Sequence, residues 1–240
     1  MKRSTINKII QESDEFIKSH GFKLPPFAYF QPNELVARKL EFQAIFDARL
    51  GWDITDYGED RFDKMGLFLF TLRNGSMSDL KSGKGMCYAE KIMISRQDQV
   101  SPLHRHIIKT EDIINRGGAT LAIEMFESNA NGEIDQKASV RVFCDGVAKT
   151  SKAGDILRLA PGESVTLSPG NWHKFWGENG DVLIGEVSTV NDDIADNIFA
   201  ESIGRFSEIE EDTDPIHLLV SDYETVSYTH LRAHETYKDR

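Results

Sequence analysis

The chain has 240 residues, of which 40% are hydrophobic, and this suits one large domain or one core with an extension. The formal net charge of −11 argues against a nucleic-acid partner, because phosphate binding needs a basic surface. No apolar run approaches the ~20 residues of a membrane span, and residues 1–4 lack a signal-peptide pattern. The two cysteines, Cys87 and Cys144, suit a reducing compartment. We therefore expect a cytoplasmic protein that does not bind membranes.

The first 60 residues favour helices, and we interpret them as an N-terminal helical extension packed on the core. Apolar residues recur at helical spacing over residues 4–19, where Ser4 is the predicted N-cap and Gly21 the stop. A second helix is predicted from about Asn33 to Gly51, with Leu40 on its apolar side. These apolar stripes indicate core contacts, with a dimer interface as the alternative.

From Gly66 onward, short apolar runs are separated by Gly, Asn, Asp and Pro, which is typical of a β-sandwich or β-barrel. The pairs Asn74-Gly75, Asp145-Gly146 and Asn179-Gly180 predict turns. The sequence therefore predicts a β-barrel domain over residues 61–225. The predicted strands are 67–72, 89–94, 120–126, 139–143, 156–159, 164–167 and 182–187.

The C-terminal part is mixed and acidic. Its charged run at residues 207–212 is interpreted as a solvated surface. Residues 226–240 do not resemble the rest of the chain, and we interpret them as a non-native or disordered tail that carries no function.

Four residues have the spacing of metal ligands: His104, His106, Glu111 and His173. Because side chains alternate along a strand, a His-x-His pair directs both imidazoles to one face. A carboxylate shortly after the pair, and a third histidine on another strand, complete three nitrogens and one oxygen around a divalent cation. Such a set leaves coordination positions for substrate or water.

This spacing resembles the cupin family. The first cupin motif is matched at His104, His106, Glu111 and Gly118, while Asp98 stands where its leading glycine is expected. The second motif is matched in its Gly-x-x-His part, which ends at His173; its proline lies directly before the glycine, and a glycine replaces its final asparagine. The resemblance implies a mostly β fold, a cupin-type double-stranded β-helix or jelly roll, with the N-terminal helices packed on it.

Most of the chain also resembles the D-lyxose isomerase family of cupins. That resemblance implies reversible aldose–ketose isomerisation, D-lyxose to D-xylulose and D-mannose to D-fructose, with Mn²⁺ as the usual metal and a homodimer as the usual assembly. Other divalent cations are also compatible with the ligand set. The stretches that carry the resemblance are residues 24–28, 91–93, 102–106, 169–173 and 205–212.

Isomerisation needs a group that takes a proton from C2 and returns one to C1, beside a cation that stabilises the enediolate. We predict catalytic roles for Lys109, Glu186 and Glu208, the two glutamates being rival candidates for the base. A surface position is the alternative for Lys91, and hydrophobic packing is the alternative for Trp172. The predicted substrate-binding residues are Lys91, Trp172 and Arg205.

Two other functions fit a single metal on a jelly roll. An Fe(II)-dependent cupin dioxygenase would use much the same four ligands in an apolar pocket, and metal identity and oxygen consumption would distinguish it. A non-catalytic sugar-binding cupin would bind a sugar tightly without turnover.

Overall fold

The computed structural model describes residues 1–224, so the predicted tail at 226–240 lies outside the described residues. Helices are few and lie mainly at the N-terminus. They are α1 (Arg3–Ser19), α2 (Pro32–Ala37), α3 (Gln43–Asp47) and α4 (Met77–Ser82), with two short 3₁₀ turns at Pro26–Tyr29 and Val220–Asp222.

Antiparallel strands form the rest of the fold, as predicted. The main sheet path runs β1-β2-β3-β11-β5-β10-β7-β8, and β4, β6, β9 and β12 pair beside it. The strands are β1 (Gly51–Thr55), β2 (Leu67–Asn74), β3 (Tyr88–Ser95), β4 (Ser101–Arg105), β5 (Glu111–Ser128), β6 (Ile134–Asp135), β7 (Val140–Cys144), β8 (Val147–Ser151), β9 (Ile156–Leu159), β10 (Ser164–Leu167), β11 (Trp172–Thr189) and β12 (Ile198–Phe199).

Two 18-residue strands, β5 and β11, pair with each other along almost their whole length. The first half of β11 also pairs with β4, and its second half pairs with β3. The pairing register shifts between Glu178 and Val182, where Asn179 and Gly180 both have positive φ. A bulge at this point bends a strand and increases its twist. The predicted turn at Asn179-Gly180 is therefore wrong, because the pair bends one continuous strand.

The interior of the barrel and the face beneath α1 form two separate apolar layers. Alternation along β2 places Leu67 and Leu69 in the barrel interior, and it places Phe68 and Phe70 against α1. The isoleucines of α1 cover this outer face, since Ile6, Ile9, Ile10 and Ile17 are all buried. Helix α1 thus closes one side of the barrel, as the sequence predicted.

The structure differs from the predicted second helix. Two short helices, α2 and α3, flank a turn at residues 38–42. Arg38 closes this turn through ion pairs to Glu34 and Glu41, and Leu40 is 92% exposed, so it is not a core contact. Beyond α3 the chain enters β1, which pairs with β2 inside the range for which only helices were predicted.

The acidic run at residues 207–212 is partly structural. The buried Arg3 guanidinium donates to Glu211 at 2.6 Å and to Asp222 at 2.9 Å. The backbone N–H of Ser4 donates to the Asp212 carboxylate, so helix α1 is capped from the C-terminal segment and its N-cap residue is Lys2, not Ser4. Asp145 and Gly146, both with positive φ, form the predicted turn between β7 and β8.

Within the described residues, no helix is both long enough and apolar enough to cross a membrane.

We predict that Gly118→Ala destabilises the fold strongly. Gly118 has φ +91°, and an added Cβ would lie 2.3 Å from the Asp181 carbonyl oxygen. The left-handed backbone costs roughly 1–2 kcal/mol for alanine, and the backbone clash adds roughly 1–3 kcal/mol. Urea unfolding measures the loss.

Gly146→Ala is the matched control, because Gly146 has φ +80° and no heavy atom of the described chain within 4 Å of an added Cβ. The free energy of unfolding of Gly146→Ala should fall only by the cost of the left-handed backbone for alanine. Equal losses in the two variants would contradict the close approach at Gly118.

Candidate active site and metal centre

Three strands direct the predicted metal ligands into the barrel. His104 lies in β4, and His106 follows directly after that strand. His173 lies in β11, opposite His104 in the β4–β11 register. Glu111 begins β5. Each of the four is at most 9% exposed.

Backbone carbonyls fix the orientation of all three imidazoles. Nδ1 of His104 lies 2.8 Å from the carbonyl oxygen of Pro102. Nδ1 of His106 lies 2.7 Å from that of Asp196, and Nδ1 of His173 lies 3.2 Å from that of Asn171. Because a carbonyl only accepts, each Nδ1 carries a hydrogen, and in the neutral form of the ring Nε2 then has a free lone pair. Such backbone partners are typical of histidines that bind metals through Nε2.

These lone pairs converge on one point. One ring nitrogen from each of the three histidines lies within 4.8 Å of the others. Burial, followed by the neighbouring His173 and His106, lowers the pKa of His104 well below its usual value. His104 is therefore neutral near pH 7, the form that binds a metal.

The carboxylate of Glu111 completes the set. Its Oε1 lies 3.4 Å from Nε2 of His106 and 3.1 Å from Nε2 of His173. Oε1 of Glu111 and Nε2 of His106 have no hydrogen-bond partner within residues 1–224. Two buried lone pairs that face each other without a hydrogen repel, and a cation between them removes that cost. The four residues thus fit a divalent cation.

A buried chain of charged groups continues from Glu111. Lys109 Nζ lies 2.6 Å from Oε2 of Glu111 and 3.0 Å from Oε1 of Glu186. Lys91, opposite Glu186 in the β3–β11 register, places its Nζ 3.5 Å from the same oxygen. Burial alone would lower the pKa of Lys109, but Glu111 and Glu186 outweigh it and raise that pKa. Lys109 is therefore a cation at neutral pH.

Glu186 is held ionised by the same contacts. Burial raises its pKa, but the ammonium groups of Lys109 and then Lys91 outweigh burial and lower it. The hydroxyl of Ser188 donates to Oε1 of Glu186 at 3.2 Å. An ionised carboxylate, buried beside two cations, can accept a proton from a substrate that displaces part of this network.

Arg205 lies at the other end of the chain of charges. Its Nη2 is 2.7 Å from Asp53 and 3.4 Å from Asp193, and the Asp193 carboxylate is also 3.8 Å from Lys91 Nζ. Burial raises the pKa of Asp193, but Lys91 and Arg205 outweigh it and lower that pKa. Burial raises the pKa of the nearby Tyr57 to about 12, so its hydroxyl stays a neutral hydrogen-bonding group.

These groups line one cavity in the barrel. The structure brings together there the four predicted metal ligands with Lys91, Lys109, Glu186 and Arg205. Two polar atoms that line it, Nη1 of Arg205 and Oδ1 of Asn197, are buried and have no hydrogen-bond partner in the described chain. The cavity can therefore bind a small polar molecule next to the histidines.

Two predicted site residues lie elsewhere. Trp172 precedes His173 on β11, so alternation turns its ring to the outer side, where Nε1 donates to the Gly132 carbonyl and Arg105 stacks on the ring. Glu208 is exposed and lines a different groove, beside Met1. The structure therefore brings neither to the cavity. Strand alternation could have indicated this for Trp172, and nothing in the sequence did so for Glu208.

Sequence reasoning missed the segment between β11 and β12. Asn191 accepts a hydrogen bond from Lys91 Nζ at 2.6 Å, and Asp193 and Asn197 line the cavity. The carboxylate of Asp196 accepts a hydrogen bond from the backbone N–H of Ile108, in the loop before Glu111. These side chains reach the site from an irregular segment without periodicity. The cluster Asn-Asp-Asp at residues 191–193 is a polar signal, but polar clusters are also typical of ordinary loops.

Known proteins resemble this chain over nearly its whole length. A D-lyxose/D-mannose isomerase from Serratia proteamaculans is 49% identical over 228 residues, covering 93% of this chain and 98% of the relative. One from Escherichia coli O157:H7 is 45% identical over the same coverage. Among solved structures, an L-ribose isomerase of Acinetobacter sp. DL28 in complex with L-ribose has a TM-score of 0.59 at 14% identity, covering 88% of this chain and 98% of that one.

An L-ribose isomerase of Cellulomonas parahominis has a TM-score of 0.58 at 15% identity, with the same coverage. At this identity the two structures share the fold, which confirms the predicted cupin-type double-stranded β-helix. The family model for D-lyxose isomerase matches residues 1–223. The chain therefore belongs to the D-lyxose isomerase family.

Proposed function

We propose that this protein interconverts D-lyxose with D-xylulose, and more slowly D-mannose with D-fructose, as a manganese-dependent homodimer in the cytoplasm. The observation that carries the proposal is the buried chain of charges that joins Glu111, Lys109 and Glu186 beside three convergent histidines. The relatives named D-lyxose/D-mannose isomerase support this choice of sugars.

His104, His106, His173 and Glu111 would hold the ion. When bound, the ion would polarise the sugar carbonyl and stabilise the negative charge that develops on its oxygen. Three imidazoles and one carboxylate are compatible with Mn²⁺ and with other first-row metals, so the metal in the cell also depends on availability. The predicted homodimer rests on the family resemblance, and light scattering of the purified protein would test it.

Glu186 is the base in this proposal. It is 4% exposed, ionised, and two residues from Ser188, which pairs with Glu111 across the strands. Its carboxylate takes the proton from C2 of the aldose and a proton is then delivered to C1, while the hydroxyl proton of O2 passes to O1, which gives the ketose. A single shuttling carboxylate is suited to a cis-enediol route, because one group can serve both carbons from one face of the sugar.

The lysines have a different role. Lys109 is a cation held between two carboxylates, so it donates hydrogen bonds and stabilises a developing oxyanion instead of removing a proton. Lys91, on the other side of Glu186, donates to a sugar hydroxyl and keeps the glutamate ionised.

Arg205 and Asn197 hold the end of the sugar away from the histidines. Each has one buried polar atom without a partner in the described residues, a donor on Arg205 and an acceptor on Asn197, and a sugar hydroxyl satisfies both types.

Incubation of the manganese-loaded protein with D-lyxose, D-mannose and D-xylose tests the function directly. We expect ketose from D-lyxose and D-mannose, and solvent deuterium at C1 of the ketose when the reaction runs in D₂O. Complete transfer without exchange would indicate a hydride shift. Oxygen consumption would indicate the dioxygenase, and tight sugar binding without turnover would indicate a non-catalytic protein; each result contradicts the proposal.

We predict that Glu186→Gln lowers kcat by roughly 10²–10⁴-fold, the usual contribution of general acid–base catalysis, while Mn²⁺ stays bound. Steady-state kinetics and metal analysis measure both effects. Glu208→Gln is the matched comparison, since Glu208 is exposed and lies outside the cavity, and it should keep near-normal kcat. The opposite ranking of these two variants would make Glu208 the base.

We predict one tightly bound Mn²⁺ per chain, and none in a variant with His104, His106 and His173 all changed to alanine. Chelation should abolish activity and lower the melting temperature, because a ligand of the folded state stabilises it. Elemental analysis and thermal unfolding measure these outcomes. His20→Gln is the control, because His20 is the C-cap residue after α1 and lies outside the cavity. Full metal content in the triple variant would show that the ion binds elsewhere.

A further inference from the structure

We propose that Asp196 is a positioning residue for the metal centre: its carboxylate and its main-chain carbonyl together hold residues 106–109, so that His106 and Lys109 face the ion. Asp196 lies in the segment between β11 and β12 and is 5% exposed. The inference deepens the proposed function, because it takes the three histidines and Glu111 as a metal site.

The carboxylate of Asp196 accepts three consecutive backbone N–H groups. Oδ1 accepts from Ile107 at 2.7 Å and from Ile108 at 2.8 Å, and Oδ2 accepts from Lys109 at 2.9 Å. Hydrogen bonds to an ionised acceptor are stronger than neutral ones. Successive N–H groups that converge on one anion form a backbone nest, and here the anion is part of the protein.

The main-chain carbonyl of Asp196 accepts the fourth contact, from Nδ1 of His106 at 2.7 Å. That contact fixes the tautomer in which Nε2 of His106 keeps its lone pair. One residue therefore orients a metal ligand through its backbone and orients the following loop through its side chain.

Residues 106–109 have other anchors only at the two ends of the loop: the Gly170 N–H donates to the His106 carbonyl at 2.8 Å, and the Lys109 ammonium pairs with Glu111 and Glu186. They lie between β4 and β5, and the side chains of Ile107 and Ile108 are 51% and 50% exposed. Apolar packing therefore contributes little to the position of this loop. Yet the loop must present His106 at one end and lead into Lys109 and Glu111 at the other, and the Asp196 carboxylate meets it between these two points.

The segment that contains Asp196 also contacts both the metal end and the sugar end of the cavity. Its own N–H donates to the Asp192 carbonyl, and its neighbours along the segment, Asp193 and Asn197, line the cavity near Arg205. A shift of this segment would therefore displace groups at both ends.

The test is the affinity of the metal-free protein for Mn²⁺, measured by calorimetric titration of Asp196→Asn and Asp196→Ala. We expect at least a tenfold weaker Kd, in the range of roughly 10–100-fold that loss of an outer-shell partner costs a metal site. Thermal unfolding of the metal-free variants is measured beside it. Asp196→Asn has nearly the shape of the native residue and remains informative if the alanine variant does not fold.

Asp192→Asn is the matched control. Asp192 lies in the same segment and accepts from the backbone N–H groups of Ile194 and Ala195, so the same change removes a local turn contact away from the metal loop. It should keep wild-type affinity for Mn²⁺.

The outcomes separate this inference from the function on which it rests. Wild-type protein that binds no Mn²⁺ would overturn the metal centre and this inference with it. If the wild-type protein binds Mn²⁺, two results would overturn only the positioning role. One is a Kd of Asp196→Asn within twofold of the wild-type Kd, and the other is an equal loss of Mn²⁺ affinity in Asp192→Asn. A lower melting temperature of metal-free Asp196→Asn with unchanged Kd would show a merely structural residue.

Discussion

The pairing of β5 with β11 is the constraint on which the rest of the molecule depends. Each strand is 18 residues long and serves both halves of the barrel, so the bend at Asn179 and Gly180 has to occur where β5 carries Gly117 and Gly118. A side chain at Gly118 would meet the backbone of β11. Two distant points of β11, His173 and Glu186, on either side of this bend, line the same cavity.

Burial of so many ionised groups is costly, and the arrangement explains how the cost is met. Removing a carboxylate or an ammonium from water is offset only when each charge has close partners of opposite sign. Here Lys109 lies between Glu111 and Glu186, Lys91 contacts Glu186 and Asn191, and other carboxylates surround Arg205. Within the described residues, four of the six buried side-chain atoms without a hydrogen-bond partner belong to residues that line the cavity, namely His106, Glu111, Asn197 and Arg205. A metal ion and a sugar bound in this cavity would give these atoms partners.

Local patterns predicted much of this architecture. The periods of the apolar runs indicated most strands and α1, and the ligand spacing indicated the four residues that the barrel brings together. Asp98, which stands at a motif glycine, has φ +57°, a conformation that aspartate tolerates better than most residues. We infer that the motif requires a positive φ at this position, and Asp98 adopts one.

The sequence could not indicate what depends on distant partners. The predicted second helix is interrupted by a turn at residues 38–42, and the sequence did not indicate this, because the pairing of Arg38 with Glu34 and Glu41 is equally compatible with one continuous helix. Asp196 and Asp193 gain their roles only through contacts with residues far along the chain. Contacts of this kind produce no periodic pattern in the sequence.

The polar contacts between α1 and residues 211–222 have a consequence for synthesis on the ribosome. Helix α1 is made well before the segment that caps it, because the partners of Arg3 and Ser4 are Glu211, Asp222 and Asp212, 208 to 219 residues later. Until those residues emerge, the first turn of α1 lacks its cap and Arg3 lacks its counter-charges. These polar contacts can therefore form only late in synthesis. A nascent chain that stalls before residue 211 could pack the isoleucine face of α1 on β2, but it would leave Arg3 without its carboxylate partners.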